Sequence, residues 1–311
     1  MKKFLLFFAM STLALGAFTA CEEAPPEVDD QIHLTGTPGA TGQNENGGQI
    51  MTNLQGNGMG EVFYPATVNR QELDGTIYER VLNSPSVTLQ LSPLVPGEEL
   101  AIMHTNHGDI TLRFFPQEAP LAVENFKTQA RNGVYDGLIF HRVIPGFMIQ
   151  GGCPLGTGTG GQSIFPEGLG LERSFNLHHF RGALATAHAG AGRTIGSQFY
   201  IVQNDELNPN SVADFEYLIN IQDEIIGEFS GGRHIYVRDV HPRDGLLYFI
   251  EQGGTPWLDW HWNPEGYGHT VFGHVVEGLS VVDSIVSVEA ERNRPVEDVI
   301  IERISFIIYG E

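Results

Sequence analysis

The chain has little positive charge, and beyond its N-terminus it has no long apolar run. Of its 311 residues, 17 are Lys or Arg and 38 are Asp or Glu, which gives a formal net charge of −21. Because phosphate binding needs clustered cations, this balance argues against nucleic acid as a partner. No apolar stretch after Phe18 approaches the roughly 20 residues that a membrane-spanning helix requires.

Several motifs of catalysis and metal binding are absent as well. The glycine-rich loop 156–161 lacks the Gly-Lys-Ser/Thr ending of a phosphate loop, and Gly196-Ser-Gln lacks the frame of a hydrolase nucleophile. No calcium loop or zinc-like spacing occurs. The pairs His178–His179 and His104–His107 leave a metal-dependent enzyme open as an alternative. We predict that the protein uses no metal and no cofactor.

Glycine, in contrast, is abundant. Its 38 residues indicate many turns, as in a mainly β protein, and a hydrophobic content of 41% is sufficient for a packed core. Alternating residues predict a hairpin with strands at 100–105 and 110–114. Helical spacing and a leading proline predict a helix over 120–132, and a second short helix is expected at 279–286.

The N-terminus has the composition of a secretory signal. A basic start is followed by a short apolar run and then by Cys21. The cysteine directly after a small residue resembles a bacterial lipoprotein cleavage site, which predicts removal of residues 1–20 and lipidation of Cys21. Lipidation leaves Cys153 as the other cysteine, so no disulfide is expected despite export. The alternative is an ordinary secretory signal followed by an accidental cysteine.

The rest of the chain divides by composition. Residues 21–60 are acidic at first and then rich in Gly, Thr, Asn and Gln. Such a segment has too little apolar surface to offset the entropy of ordering, so we predict a flexible tether. Residues 61–97 carry no motif and are predicted only as an N-terminal extension. The main domain is predicted to span residues 98–309.

The stretch 138–152 (LIFHRVIPGFMIQGG) is almost wholly apolar and carries one permanent cation, Arg142. As a strand it would point Phe140, Arg142 and Ile144 to the same face. Burying a guanidinium among apolar side chains is costly unless it has partners. Arg142 is therefore either an edge-strand charge that guards against aggregation or a cation at the floor of a hydrophobic cleft, aimed at a substrate.

Residues 140–152 (FHRVIPGFMIQGG) resemble the signature of cyclophilin-type peptidyl-prolyl cis-trans isomerases. Four further matches follow in the same order, at 182–190 (GALATAHAG), 196–201 (GSQFYI), 257–259 (WLD) and 269–273 (HTVFG). The resemblance covers about two thirds of the chain and favours the second interpretation of Arg142.

The resemblance implies a fold, an activity and a partner. The implied fold is mainly β, a closed eight-stranded antiparallel barrel capped by two helices. The implied activity is isomerisation of X–Pro peptide bonds. Together with the export signal, it predicts a monomer that acts on proline-containing segments of exported polypeptides. Its lipid would anchor it to a bacterial membrane, on the periplasmic or cell-surface side.

Residue by residue, the resemblance identifies Arg142 as the catalytic cation, Gln150 as the side chain that holds it, and Phe147 as part of the catalytic proline pocket. The substrate-binding positions that it implies are Met148, Ala187, His188, Gln198, Tyr200, Trp257, Leu258 and His269. The family more often has asparagine where His188 stands and phenylalanine where Tyr200 stands, so we expect an altered substrate preference. A buried Tyr200 hydroxyl would also need a hydrogen-bond partner.

Residues 204–254 form an insertion where typical cyclophilins have only a few residues. The spacing of one helix face is present at Val212, Phe215, Leu218, Ile219, Ile225, Ile226 and Phe229, and residues 246–250 suggest a second helix. The insertion is either a decorative loop with its own apolar contact or a surface that holds clients. The second possibility supports an alternative function, a chaperone or client-binding module with incidental isomerase activity.

Overall fold

The computed structural model describes residues 89–174, 176–188, 195–228, 234–259 and 268–311, together with three short strands nearer the N-terminus. The chain divides into two units, residues 1–66 and 67–311. In the first unit, β1 (Gly42–Gln43), β2 (Gln49–Met51) and β3 (Val62–Phe63) pair antiparallel in that order. The predicted signal peptide, Cys21 and most of the tether lie outside the described residues.

The second unit is built on one antiparallel sheet of eight strands. In chain order the strands of this unit are β4 (Glu99–Thr105), β5 (Gly108–Phe114), β6 (Arg142–Ile144), β7 (Met148–Gly151), β8 (Ala183–Thr186), β9 (Phe199–Val202), β10 (Ile225–Glu228), β11 (His234–Tyr236), β12 (Val271–Glu277), β13 (Ala290–Glu291), β14 (Arg294–Pro295) and β15 (Ile301–Ile308). The order across the large sheet is β15-β4-β5-β12-β8-β9-β7-β6, and β10–β11 and β13–β14 are separate hairpins. The predicted hairpin at 100–114 is confirmed as β4 and β5.

Two helices pack against one face of this sheet. The helices of the unit are α1 (Pro120–Arg131), α2 (Pro209–Asn220), α3 (Val237–Val240), α4 (Arg243–Gln252) and α5 (Leu279–Val286). The predicted helices at 120–132 and 279–286 are confirmed as α1 and α5, and both bury apolar side chains in the main core. Among the described residues, no helix combines the length and the apolarity that a bilayer crossing needs.

The main core is centred on Phe126 of α1. Its ring centroid lies 5.0 Å from that of Tyr135, 5.4 Å from that of Phe199 and 5.5 Å from that of Phe272. The start of α1 is held from a distant loop, because the Glu172 carboxylate accepts hydrogen bonds from the first N–H groups of the helix, at 2.9 and 2.8 Å. A carboxylate at this position satisfies N–H groups that have no partner within the helix and complements the helix dipole.

The sheet does not close, so the prediction of a closed barrel is wrong. The sheet forms a half-barrel in which β15 and β6 are the two end strands. The segment before β6 does contact the start of β15: the Ile301 N–H donates to the Leu138 carbonyl at 2.8 Å. The free edge of β6 is instead occupied by the β13–β14 hairpin, because the Val143 N–H donates to the Asn293 carbonyl at 2.7 Å.

The insertion leaves and rejoins the sheet at adjacent points. Asn204 Nδ2 donates to the Gly254 carbonyl at 2.7 Å. Between these points lie α2, the β10–β11 hairpin, α3 and α4. The buried side chains of this segment form their own cluster on one residue of the main domain, Phe180; they are Leu207, Phe215, Leu246 and Phe249. The insertion is therefore a separate small layer with its own apolar core.

The two helices expected in the insertion are confirmed as α2 and α4, but the first is shorter than its sequence pattern suggests. It ends at Asn220, and the Glu224 N–H then closes a turn on the Ile221 carbonyl at 2.9 Å. Ile225 and Ile226 consequently lie in strand β10, and the Ile225 side chain is 54% exposed. Phe229, the last residue of the pattern, lies outside the described residues.

Candidate active site

An apolar cluster lies on the face of the sheet opposite the main core. Successive residues of one strand point to opposite faces, so Met148 and Tyr200 belong to this cluster whereas Ile149 and Ile201 belong to the main core. We call it the pocket cluster; its members among the predicted site residues are Phe147, Met148, Ala187, Tyr200, Trp257 and Leu258. Met148, Tyr200 and Leu258 are buried, and the other three are partly exposed at its edge.

Arg142 stands beside the pocket cluster on the end strand β6. Its guanidinium carbon lies 5.9 Å from the centroid of the Phe147 ring, within the range of a cation–π contact. The ladder pairs Arg142 directly with Gln150, which puts both side chains on one face of the sheet. Arg142 Nη1 lies 3.4 Å from Gln150 Oε1. The side chain is half-buried, so a permanent cation is held at the boundary between apolar surface and solvent.

Two hydrogen-bonded side-chain amides, those of Gln150 and Gln198, orient the oxygen that faces Arg142. Gln150 Nε2 donates to Gln198 Oε1 at 3.0 Å. Gln198 Nε2 in turn donates to the carbonyls of Gly158 and Gly160, at 2.9 and 2.8 Å. Because each amide nitrogen already has an acceptor, Gln150 presents its oxygen to Arg142. The predicted site residues Arg142, Gln150 and Gln198 therefore lie together, and the glycine-rich loop fixes which way the two amides point.

The double glycine at the end of the signature allows two strands to approach closely. A Cβ on Gly152 would lie 2.5 Å from the Ser197 carbonyl oxygen, and its φ of +78° also favours glycine. Ser197 Oγ donates to the Gly152 carbonyl at 2.6 Å. This contact fixes the start of β9 against the end of β7, which places Gln198 within reach of Gln150.

The remaining predicted residues lie at the other end of the pocket cluster. The ring centroids of His188 and His269 are 4.2 Å apart, and that of His269 is 5.4 Å from the Tyr200 ring. The Ala187 N–H already donates to the Gln198 carbonyl at 3.0 Å, so it is not a donor for a substrate. Burial, together with the charges of His188 and His179, lowers the pKa of His269 well below its usual value, which favours a neutral ring.

The buried hydroxyl of Tyr200 has the partner that the sequence required. Tyr200 Oη lies 2.8 Å from His179 Nε2, and His179 Nδ1 lies 2.5 Å from Asp259 Oδ1. The second oxygen of Asp259 lies 3.0 Å from His178 Nδ1. All four residues are buried. The motif Trp257–Asp259 contained the carboxylate, but nothing in its local pattern indicated that it would meet His178 and His179.

The family model described as "Cyclophilin type peptidyl-prolyl cis-trans isomerase/CLD" matches residues 100–227 and 238–306. The chain belongs to the cyclophilin family. This cyclophilin is accordingly an enzyme of the peptidyl-prolyl cis-trans isomerase class. The match continues through much of the insertion, with a break between residues 227 and 238.

Curated relatives carry the same description. The cyclophilin is 40% identical over 209 residues to a Staphylococcus aureus (strain USA300) protein named "Putative peptidyl-prolyl cis-trans isomerase", covering 67% of this chain and 91% of that protein. A Staphylococcus epidermidis protein of the same name is 41% identical over 219 residues, covering 69% of this chain and 95% of the relative. The similarity therefore spans nearly the whole of each relative.

Solved structures similar to this cyclophilin include one from Cryptosporidium parvum, a cyclophilin-type peptidyl-prolyl cis-trans isomerase. It is 25% identical, with a TM-score of 0.47, and the match covers 69% of this chain and 98% of that one. A second structure of that protein, in the presence of the dipeptide Ala-Pro, is 24% identical with a TM-score of 0.47, covering 68% of this chain and 99% of that one.

Three of the four histidines that suggested metal ligands have other side-chain partners in this cyclophilin. His178 and His179 share the carboxylate of Asp259. On the outer side of the sheet, His104 lies 2.8 Å from Asp109 Oδ1 and 2.9 Å from Ser305 Oγ. Within the described ranges, no group of three or more His, Cys, Asp or Glu is arranged to hold a metal ion.

Proposed function

We propose that this cyclophilin isomerises X–Pro bonds in extended segments of exported polypeptides, with Arg142 stabilising the twisted amide. The observation that carries the proposal is the position of Arg142 between the pocket cluster and Gln150. A permanent cation at the edge of an apolar surface suits a substrate that has an apolar ring joined to a polar amide. Proline is that substrate, because its ring includes the amide nitrogen.

Rotation about a peptide bond faces a barrier of about 18–20 kcal/mol because the amide is stabilised by resonance. An enzyme lowers this barrier if it binds the twisted amide more strongly than either planar form. In the twisted state the nitrogen lone pair is no longer delocalised and becomes a hydrogen-bond acceptor. The reaction therefore needs a fixed donor near the proline nitrogen, and it needs neither a nucleophile nor a proton transfer.

The pocket cluster binds the proline ring by apolar contact. Phe147, Met148 and Leu258 contribute apolar surface, and the Tyr200 ring belongs to the same cluster, with its hydroxyl directed to His179. Burying the ring methylenes would contribute about 0.8 kcal/mol for each CH₂ group. Because the ring is held in this way, only the acyl part of the X–Pro bond is left to rotate.

Arg142 supplies the donor. The guanidinium is charged at all physiological pH values and carries five N–H groups in a rigid fork, of which one is directed to Gln150. A donor that is already oriented costs no reorganisation during the reaction, and its effect is largest where water is partly excluded. Gln150 is accordingly assigned the role of holding the fork in place, with Gln198 and the glycine-rich loop behind it.

The cellular setting is proposed from the N-terminal sequence. The signal-like residues 1–20 and Cys21 would place the enzyme outside the cytoplasmic membrane, tethered by lipid. Polypeptides that emerge there are unfolded and contain prolyl bonds that isomerise over tens to hundreds of seconds. An anchored isomerase with a flexible tether would meet these chains as they fold.

A second candidate function is favoured by the insertion. Tyr217 of α2 is 49% exposed and Ile225 of β10 is 54% exposed, so this small layer presents apolar side chains to solvent. Such side chains could hold an unfolded client while the pocket acts on a nearby proline. In this alternative the chain is a chaperone or binding module, and isomerisation is incidental.

The deciding experiment compares Arg142→Ala with the parent chain from Glu22 on a short Ala-Pro peptide. We expect kcat/KM to fall by about 10²–10³-fold, the usual loss when an oriented donor is removed, with an unchanged circular dichroism spectrum. Arg142→Lys keeps the charge but loses the fork, so an intermediate activity is expected. Near-parental activity in Arg142→Ala would refute the mechanism.

A matched control is Arg131→Ala. Arg131 also lies over an aromatic ring, at 4.5 Å from the centroid of Phe306, but it is on α1, whose buried residues belong to the main core and not to the pocket cluster. Activity on the peptide should be unchanged in this variant. A parent chain that is folded and inactive would make the binding-module alternative the better one.

A further inference from the structure

Four buried polar side chains form a continuous network behind the pocket cluster. Tyr200 Oη, His179 and Asp259 are linked by contacts of 2.8 and 2.5 Å, and His178 reaches the other oxygen of Asp259 at 3.0 Å. The exposed fractions are 4% for Tyr200, 3% for His178, 2% for Asp259 and 1% for His179. Buried polar networks contribute most when every member has a partner, and here each contact named is within hydrogen-bond range.

The direction of these hydrogen bonds follows from the charge on Asp259. Burial alone would raise the pKa of this carboxyl, but the hydrogen bonds and charges of His178 and His179 hold it well below its usual value. A carboxylate accepts and does not donate, so both Nδ1 atoms carry the hydrogens. Burial and the charge of Asp259 raise the pKa of Tyr200 well above its usual value, so its hydroxyl keeps its hydrogen and can donate it to His179 Nε2.

Backbone contacts attach the same network to the wall of the pocket. The Thr255 N–H donates to the His179 carbonyl at 2.8 Å, and the His179 N–H donates to Asp259 Oδ1 at 2.8 Å. Residues 255 and 259 are therefore both bound to His179. Between them lie Trp257 and Leu258, which belong to the pocket cluster.

We propose that His179 and Asp259 are positioning residues that hold the Tyr200 ring and the Trp257–Leu258 segment at a fixed separation, and so set the width of the proline pocket. This inference rests on the proposed function of the pocket cluster. Neither residue is a member of that cluster, so they act through Tyr200, Trp257 and Leu258. A binding site is held in its productive geometry by hydrogen bonds of this kind behind its lining.

His178 extends the network to the insertion. Its ring centroid lies 6.1 Å from that of Phe249 on α4, in an edge-to-face arrangement, and 5.2 Å from that of Phe180. The Asp259 carboxylate is thus shared by His178, which contacts the core of the insertion, and His179, which contacts Tyr200. The insertion therefore packs, through Phe249, against the hydrogen-bonded network behind the pocket cluster.

The test separates the two hydrogen bonds of His179. In His179→Asn the amide nitrogen replaces Nδ1 and can still reach Asp259, but the side chain is too short to reach Tyr200. Tyr200→Phe removes the same bond from its other end. In the full chain, kept in mild detergent, each variant should raise KM for an Ala-Pro peptide by about tenfold while kcat changes little, because ring placement is lost and Arg142 is untouched.

The double variant gives the decisive comparison. If both changes break one bond, then Tyr200→Phe adds no further rise in KM in the His179→Asn background. Additive effects, or a KM unchanged in both single variants, would overturn the proposal. The matched control is His104→Asn, at a histidine that also lies between a carboxylate and a hydroxyl, 2.8 Å from Asp109 Oδ1 and 2.9 Å from Ser305 Oγ, but outside the pocket cluster. Its KM should stay within about twofold of the parent value, whatever its effect on stability.

A second readout does not depend on catalysis. The ring nitrogens of His179 can be followed by NMR in protein labelled with ¹⁵N-histidine. Tyr200→Phe should shift the Nε2 resonance, whereas the Nδ1 hydrogen bond to Asp259 is retained. If the parent is inactive but Tyr200→Phe still shifts the resonance, the hydrogen bond exists and the proposed function is wrong. If the parent is active and Tyr200→Phe causes no shift, only the positioning role is overturned.

Discussion

The two faces of the large sheet are packed by different chemistry. On the main-core face, α1 and α5 bury apolar side chains around Phe126, and the Tyr135 hydroxyl that enters this core donates to the Ser197 carbonyl. On the other face, the pocket cluster is backed by a carboxylate, two histidines and a tyrosine hydroxyl. The first face is packed mainly by apolar contacts, whereas the apolar cluster of the second is backed by a network of buried hydrogen bonds.

The difference indicates what each face is for. Apolar contacts have no directional preference, so a core can repack and still support the fold. A pocket that must favour a twisted amide needs its walls placed to within a fraction of an ångström, and hydrogen bonds supply that direction. Changes on the first face should therefore alter stability, and changes on the second should alter activity.

The largest contrast is expected between two phenylalanines, Phe126 and Phe147. Phe126 is 2% exposed at the centre of the main core, so Phe126→Ala should lower the free energy of unfolding by about 3–5 kcal/mol. Phe147 is partly exposed, and Phe147→Ala should cost only about 1 kcal/mol of stability while kcat/KM falls at least tenfold. Urea unfolding and the peptide assay measure the two effects.

Temperature must be chosen so that Phe126→Ala is still folded in the activity assay. Under that condition its kcat/KM should match that of the parent. A large loss of activity in folded Phe126→Ala would mean that the two faces are not independent, and a stability loss in Phe147→Ala equal to that in Phe126→Ala would have the same meaning.

The second contrast concerns the loss of folding stability at low pH. His141, on the chain just before Arg142, is 7% exposed, and its ring packs near Gly158 in the loop that orients Gln198. Burial, and then the charges of Arg142 and Arg294, lower its pKa to about 4. The folded state thus favours the neutral ring, whereas the unfolded state binds a proton below about pH 6.5. The stability that results is present above pH 6.5 and is lost as the pH falls towards 4.

His141→Leu should remove this loss. Among the residues that the structure describes, neither ring nitrogen of His141 has a hydrogen-bond partner, so an apolar side chain of similar size should cost little at pH 7. Between pH 7 and pH 5 the parent should lose about 2 kcal/mol more stability than the variant in urea unfolding. If the parent and the variant lose equal stability, other groups cause the acid sensitivity. One such group is His274, because burial and the charge of Arg113 lower its pKa to about 3.

Local sequence patterns predicted the elements of the fold but not their long-range connections. The hairpin of β4 and β5, the helices α1 and α5, and the helix α4 each follow from the spacing of neighbouring residues. Closure of the sheet depends on which partner meets the edge of β6, and that partner is Asn293, far away in sequence. The contact of the Glu172 carboxylate with the start of α1 likewise could not be predicted from a local pattern.

The candidate site divides in the same way. The residues that line it lie in recognisable motifs; the structure brings Gln150 to Arg142, and it also places Gln198 against Gln150. The support behind the lining was missed, because His179 and Asp259 are widely separated in sequence, and the pair His178–His179 suggested a metal ligand rather than a partner for a carboxylate. The one available signal was the Tyr200 hydroxyl, which needed a partner that only the folded chain reveals.

The smallest expected effect tests whether the insertion belongs to the pocket or stands apart from it. The backbone of Gly253 lies against that of Asp205, since a Cβ on Gly253 would be 2.5 Å from the Asp205 carbonyl carbon, so two glycines can replace residues 206–252. Excision removes Phe249 from His178 but leaves the bonds of His179 to Tyr200 and Asp259. We expect KM for the Ala-Pro peptide to rise only about threefold, with kcat unchanged.

The matched control changes the surface of the insertion and keeps its core. The double variant Tyr217→Ser/Ile225→Ser removes two exposed apolar side chains and should leave KM for the peptide unaltered. If it weakens the capture of an unfolded protein, the insertion holds clients as well as supporting the pocket. An unchanged KM after excision would contradict the coupling through His178, because the edge-to-face contact with Phe249 would then contribute nothing to the position of Asp259.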